Sequence, residues 1–166
     1  ALKENIQFQL ILPDDIATTI INILSEEDLT LILSELLENA LYASLGNPNA
    51  NIQVHLGMHD EMLTIKVSNI GKGFEIDTLQ NIGISKHTSH QDTGGSGTGM
   101  MDIWKLKERY HATLIIDETF TNLEASLHTS ISLLFNQKNH YIIYSDRYKD
   151  LIKSINRPDV LILSKE

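Results

Sequence analysis

"GGSGTGM", residues 94–100, holds four of the chain's nine glycines within seven positions, and a helical pattern follows it directly. The first amides of a helix lack intrahelical partners and point outward. Glycines ahead of them let the backbone touch an anion, and the helix dipole favours negative charge there. Taken alone, the stretch reads equally well as a phosphate cradle or as a flexible loop ending in a helix cap. The commonest phosphate motifs are missing: Gly71-Lys72 is followed by Gly73, so there is no GxxxxGK[ST], and no GxGxxG occurs. The elements around the stretch must decide.

Upstream, Ser25 followed by Glu26, Glu27 and Asp28 reads as an N-cap with acids in the first turn. It predicts a long helix over 26–45, ended by Gly46-Asn47-Pro48. At about 100° per residue, Leu29, Leu33, Leu36, Leu37 and Ala40 fall on one face. Glu35 and Asn39 meet at the edge of that face, while Glu38 points further toward solvent. An asparagine has weak helix propensity, so Asn39 among leucines calls for a reason. Its amide oxygen suits Mg²⁺, which takes one or two protein oxygens beside those of a phosphate. A water-bonded Asn on a polar helix edge fits as well.

Residues 51–58 and 62–69 read as two strands of a hairpin, turning at His59-Asp60-Glu61. Period-2 parity puts Leu63, Ile65, Val67 and Asn69 on one face. An inward Asn69 oxygen can accept a hydrogen bond from an exocyclic amine, and Gly71 and Gly73 let the chain pass close to something flat. A β-turn with Asn in its usual role is the other reading. In 125–135 the same parity puts Thr129 among Leu127, Ile131, Leu133 and Phe135, and a buried hydroxyl needs a partner, whether a ligand, a water or a backbone group.

The remaining pattern predicts strands at 5–12, 16–24 and 112–117, a short helix at 75–82 and a helix at 99–110. The second of those strands rests on the β-branched "IATTIINIL". The end of the chain reads strand, helix, strand: "HYIIYS", "DRYKDLIKSI", "DVLIL". The order is α+β, with a mixed, mostly antiparallel sheet and helices on one face. The chain has 166 residues, the size of one domain with a real core, no cysteine and a formal net charge of −9. That balance argues against non-specific nucleic-acid binding, and no apolar run is long enough to span a bilayer. His55 and His59 are spaced like metal ligands, but a strand and its turn account for them.

Four boxes in this order resemble those of the GHKL superfamily of ATPases and kinases. "ELLENALYAS" (35–44) is similar to its N box, "NIGKGF" (69–74) to its G1 box, "GGSGTGMMDI" (94–103) to its G2 box and "HTSISL" (128–133) to its terminal G3 strand. By length and box spacing the chain is most similar to the catalytic ATP-binding domain of sensor histidine kinases. The helix 26–45 looks closest to the citrate-sensor and peptide-pheromone-sensor branches. The resemblance implies a Bergerat fold, a two-layer α/β sandwich, over 1–135. The residues 136–166 would be a strand-helix-strand extension packed on the same domain.

The resemblance also implies roles. Asn39 would hold the Mg²⁺ of Mg-ATP, and Glu35 would take the position that polarises the attacking group in the ATPase relatives. Asn69 would read the adenine amine, Thr129 would support it through water, and Gly71 and Gly73 would shape the adenine pocket. Gly95, Gly97 and Gly99 would wrap the phosphates beside Thr98 and Met100, and Lys86 would reach a phosphate from a lid spanning 83–98. None of the seven histidines looks like the phospho-acceptor. The implied partners are therefore a histidine-bearing dimerisation domain and a response regulator. The implied place is the cytoplasm, with any membrane attachment made through upstream segments. Three positions depart from the pattern: Asn69 stands for the usual Asp, Tyr42 for a Lys and His128 for a Gly. They lead to an expectation of weak nucleotide affinity. An anti-sigma-factor type of serine kinase shares these boxes, and a degenerate nucleotide-binding or interaction module would keep them without transfer.

Overall fold

The computed structural model describes residues 6–47, 50–84, 99–122 and 126–165. In chain order the elements are β1 (Gln7–Ile11), α1 (Ile16–Ile23), α2 (Glu26–Ser44), β2 (Asn51–His59), β3 (Met62–Gly71), α3 (Ile76–Asn81), α4 (Gly99–Tyr110), β4 (Thr113–Phe120), β5 (Leu127–Leu134), β6 (Tyr141–Ser145), α5 (Tyr148–Ser154) and β7 (Val160–Ser164). The seven strands form one sheet in the order β1-β2-β3-β5-β4-β6-β7. Its centre is antiparallel. Both flanks are parallel. Helices supply two of the crossovers between parallel neighbours, α1 and α2 between β1 and β2 and α5 between β6 and β7, while β4 and β6 are joined through β5.

Within 16–24, Ile16–Ile23 form a helix, not the strand that the β-branched composition predicts. Ile16 and Ile20, four apart, are buried together with Leu24, while Ile21 stays exposed. An amphipathic face that docks on the core outweighs a weak intrinsic preference for strand. The helix α2 follows expectation more closely. The Ser25 side chain accepts from the Asp28 amide at 3.1 Å. Ile32, Leu36, Ala40 and Ser44 are buried along its face, flanked by the half-buried Leu29, Leu33 and Leu37.

Alternation in the strands sorts the residues into two faces. Val54, Val67, Ile131, Ile116 and Ile143 form one row across five strands, and all five are buried under the helices. Two residues further along, the same face carries a second row, Asn69, Thr129, Glu118 and Ser145, also buried. A polar row continuing an apolar one marks the end of the sheet where chemistry can sit. The hairpin between β2 and β3 turns on Asp60 and Glu61, at φ 50° and 66°. This is the pair of left-handed residues that a two-residue turn between twisted strands requires.

Candidate functional site

The helices α2 and α4 run antiparallel, and their contacts set the register. At one end, Tyr110 donates its hydroxyl proton to Asp28, and Arg109 Nη1 reaches the same carboxylate at 3.1 and 3.3 Å. The Tyr110 hydrogen bond is the chief cause that holds Asp28 below the usual carboxylate range; partial burial opposes it, and Ser25 and Arg109 assist. Further along, Glu35 on α2 feels the charge of Asp102 on α4. Continuing at about 1.5 Å per residue, the first residue of α4, Gly99, falls level with Asn39. Met100 beside it is half-buried and packs against the core.

Glu35 and Asn39 are half-buried and Glu38 is exposed, as the helical spacing predicts. Burial is the main cause that raises the Glu35 pKa, with Glu38 and Asp102 adding to it. A carboxylate with raised proton affinity is a better proton acceptor than a free one.

The β3 end of the site lies against the last turn of α2. Gly71 stands where a Cβ would come 2.0 Å from the Ala43 carbonyl oxygen. A Cβ on Gly73 would meet a Leu127 methyl at 2.3 Å and the Glu118 carboxylate at 2.8 Å. The sequence suggested that these glycines make room for a flat ligand. The atoms that a Cβ would meet at either position belong to the protein, so the glycines also seat this loop against α2 and the polar row.

Asn69 and Thr129 face each other across the β3–β5 ladder and are 5 % and 4 % exposed. Asn69 Nδ2 and Thr129 Oγ1 have no hydrogen-bond partner among the described residues, and neither does the buried Ser44 Oγ at the end of α2. Native proteins rarely leave such groups unanswered. The side chain of His128 points to the opposite face of the sheet and is exposed, so it takes no space from this row.

Of the residues singled out from the sequence, Glu35, Asn39, Asn69, Gly71, Gly99, Met100 and Thr129 lie on α2, β3, α4 and β5, and Gly73 lies in the loop that follows β3. Lys86, Gly95, Gly97 and Thr98 lie outside the described residues. Sequence reasoning passed over Glu118, which is fully buried in the polar row. Parity held the signal: Leu114, Ile116 and Glu118 alternate on one face of β4, and an acid at an inward position requires a partner. That partner is Arg147, at 2.7 Å. Among the described residues no group of acidic and histidine side chains is arranged to hold a metal by itself.

The chain belongs to the family described as histidine kinase-, DNA gyrase B-, and HSP90-like ATPases, whose pattern matches residues 24–136. Among solved structures, it is similar to the nucleotide-free catalytic domain of histidine kinase ThkA, with a TM-score of 0.52 at 15 % identity, over 78 % of this chain and 77 % of that one. It is also similar to the mycobacterial sensor histidine kinase MprB, with a TM-score of 0.55 at 16 % identity, over 78 % of this chain and 83 % of that one. At such identity the likeness establishes the fold, the α+β arrangement of the GHKL catalytic domain. No curated protein matches the sequence.

Proposed function

We propose that this chain is the Mg-ATP-binding catalytic domain of a two-component sensor histidine kinase. It would deliver the γ-phosphoryl group to a histidine on a separate dimerisation domain, from which a response regulator would receive it. Membership in the ATPase family supports ATP as the ligand. The observation that carries the reading is the facing pair of buried polar atoms, Asn69 Nδ2 and Thr129 Oγ1, that have no partner among the described residues. An adenine edge, which offers both a donor and an acceptor, answers such a pair, with water bridging where reach is short.

The donor set fits magnesium. Asn39 offers a hard amide oxygen beside Glu35, and a Mg²⁺ ion completes its shell from phosphate oxygens and water. Bound there, the ion would neutralise charge on the triphosphate. Glu35 would polarise the attacking group, and the first amides of α4, from Gly99 and Met100, would meet phosphate oxygens. Gly95, Gly97, Thr98 and Lys86 would complete the phosphate contacts. Among the described residues no helix is long and apolar enough to cross a membrane. A cytoplasmic place for this domain belongs to the same proposal.

Calorimetry with a non-hydrolysable ATP analogue and Mg²⁺ tests binding. Micromolar or weaker affinity is expected, because Asn69 offers one acceptor oxygen where an aspartate offers two, and Tyr42 supplies no cation. Absence of binding at millimolar analogue would refute the reading. Transfer of radiolabelled phosphate to an added dimerisation domain tests the second half, and binding without transfer would leave a nucleotide-binding module.

A further inference from the structure

The family match ends at residue 136, yet β6 and β7, joined by α5, continue the same sheet beyond it. Two arginines from this extension reach back into the matched domain. Arg147 follows β6. Its Nε donates to Glu118 Oε1 at 3.0 Å and its Nη2 to Glu118 Oε2 at 2.7 Å. The same Nη2 donates to the Phe74 carbonyl at 2.7 Å, while the Phe74 amide donates to Glu118 Oε2 at 3.2 Å. Ser145 Oγ fills the remaining acceptor site on Glu118 at 2.9 Å. The main-chain amide and carbonyl of Phe74 are thus both held by one ion pair. A guanidinium has the fork geometry for this, and an ammonium does not.

Arg157 grips the other end of the same segment. Its Nη1 donates to the carbonyls of Gln80, at 3.2 Å, and Ile82. These oxygens lie at the C-terminal end of α3, where helix carbonyls lack partners. Asp159 holds the guanidinium through two bonds of 2.8 and 2.7 Å, and the rings of Trp104 and Tyr141 each lie 5.1 Å from it. The Gln80 side chain joins the grip by accepting from the Asn156 amide at 2.7 Å. Next in the chain, Gly83 has φ +80° and would bring a Cβ to 2.4 Å from Trp104, so only glycine passes there.

We infer that the extension is a positioning element of the nucleotide site, with Arg147 and Arg157 pinning the two ends of the 73–83 segment, which follows directly on β3 and its proposed adenine-reading Asn69. This inference rests on the nucleotide-binding reading, and its test keeps the two apart. Arg147→Ala would strand a buried carboxylate and risk unfolding. The variant of choice is therefore the double replacement Arg147→Met with Glu118→Met, which removes both charges and keeps bulk. The expected result is a cooperative fold, amide hydrogen exchange at Phe74 and its neighbours at least tenfold faster with the β5 core amides unchanged, and affinity for the Mg²⁺-loaded ATP analogue at least tenfold weaker. Parent-like exchange and affinity in the folded double variant would overturn the inference. If the parent itself binds no analogue, the nucleotide reading fails, and the exchange data alone decide whether the segment is pinned. If the double variant does not fold, Arg147→Lys decides: it keeps the charge but cannot hold Glu118 and Phe74 together. Faster exchange at Phe74 then supports the role and unchanged exchange refutes it.

Discussion

Thr129 hides a hydroxyl that no described group answers, and that is a cost to the free protein. Replacing it with valine keeps the shape and removes the cost. Thr129→Val is expected to raise stability by about 1 kcal/mol, read from denaturant unfolding, and to weaken nucleotide binding. A residue that served only the core would not move these two readouts in opposite directions. Glu35 makes a similar case. Its folded pKa is raised, first by burial and then by Glu38 and Asp102, so its contribution to stability is present below the unfolded value of about 4.3 and is lost as pH rises through the folded one. Glu35→Gln should therefore be at least as stable as the parent at pH 7, with nucleotide affinity near that of the parent. Phosphoryl transfer should fall by about 10²–10⁴-fold, measured by single-turnover labelling. Both positions were legible in the sequence because helical spacing and strand parity are local. The bond between Glu118 and Arg147 was not: parity extended one residue past the predicted strand would have turned Glu118 inward, but nothing local names a partner 29 residues away.

At the scale of elements, intrinsic propensity misled where it was weakest. The β-branched run 16–24 looked like strand, yet Ile16, Ile20 and Leu24 bury one side of a helix. The capped helix α2 and the β2–β3 hairpin were legible because each carries its own start and stop signals. The pairing of α2 with α4 was not, since it depends on the remote contact between Asp28 and Tyr110. Its strength can be apportioned. Tyr110→Phe should cost about 1.5–3 kcal/mol, as a hydrogen bond to a charged group. Arg109→Ala should cost only about 0.2–1 kcal/mol, because the arginine side chain is 62 % exposed and screened by water. The Asp28 pKa is lowered, so the latch contributes fully above the unfolded value of about 3.9 and is lost as pH falls through the lower folded value. The Tyr110→Phe variant should accordingly differ from the parent in melting temperature at pH 7 and approach it as the pH drops below about 4.

For the whole molecule, the question is whether 136–166 is a separate appendage or part of one cooperative unit. The strand-helix-strand order of this extension was legible, but its side of the sheet was not. Hydrophobic period fixes which residues point inward; it does not say that β6 pairs with β4 rather than with β1 at the far edge. The structure sets Ile143 of β6 beside Ile116 in the central apolar row, fully buried. The Tyr141 hydroxyl donates to the Leu79 carbonyl at 2.9 Å, joining β6 to α3. Contacts of that kind propagate a defect. Ile143→Ala leaves a cavity shared with β4 and should cost about 2–5 kcal/mol. In a single cooperative domain the loss appears as one thermal transition moved downward, seen alike by far-ultraviolet circular dichroism and by the amide signals of β2 and β3, which lie outside the extension. If the extension were an independent unit, Ile143→Ala would split the dichroism signal into two steps and leave the β2 and β3 transition where it was.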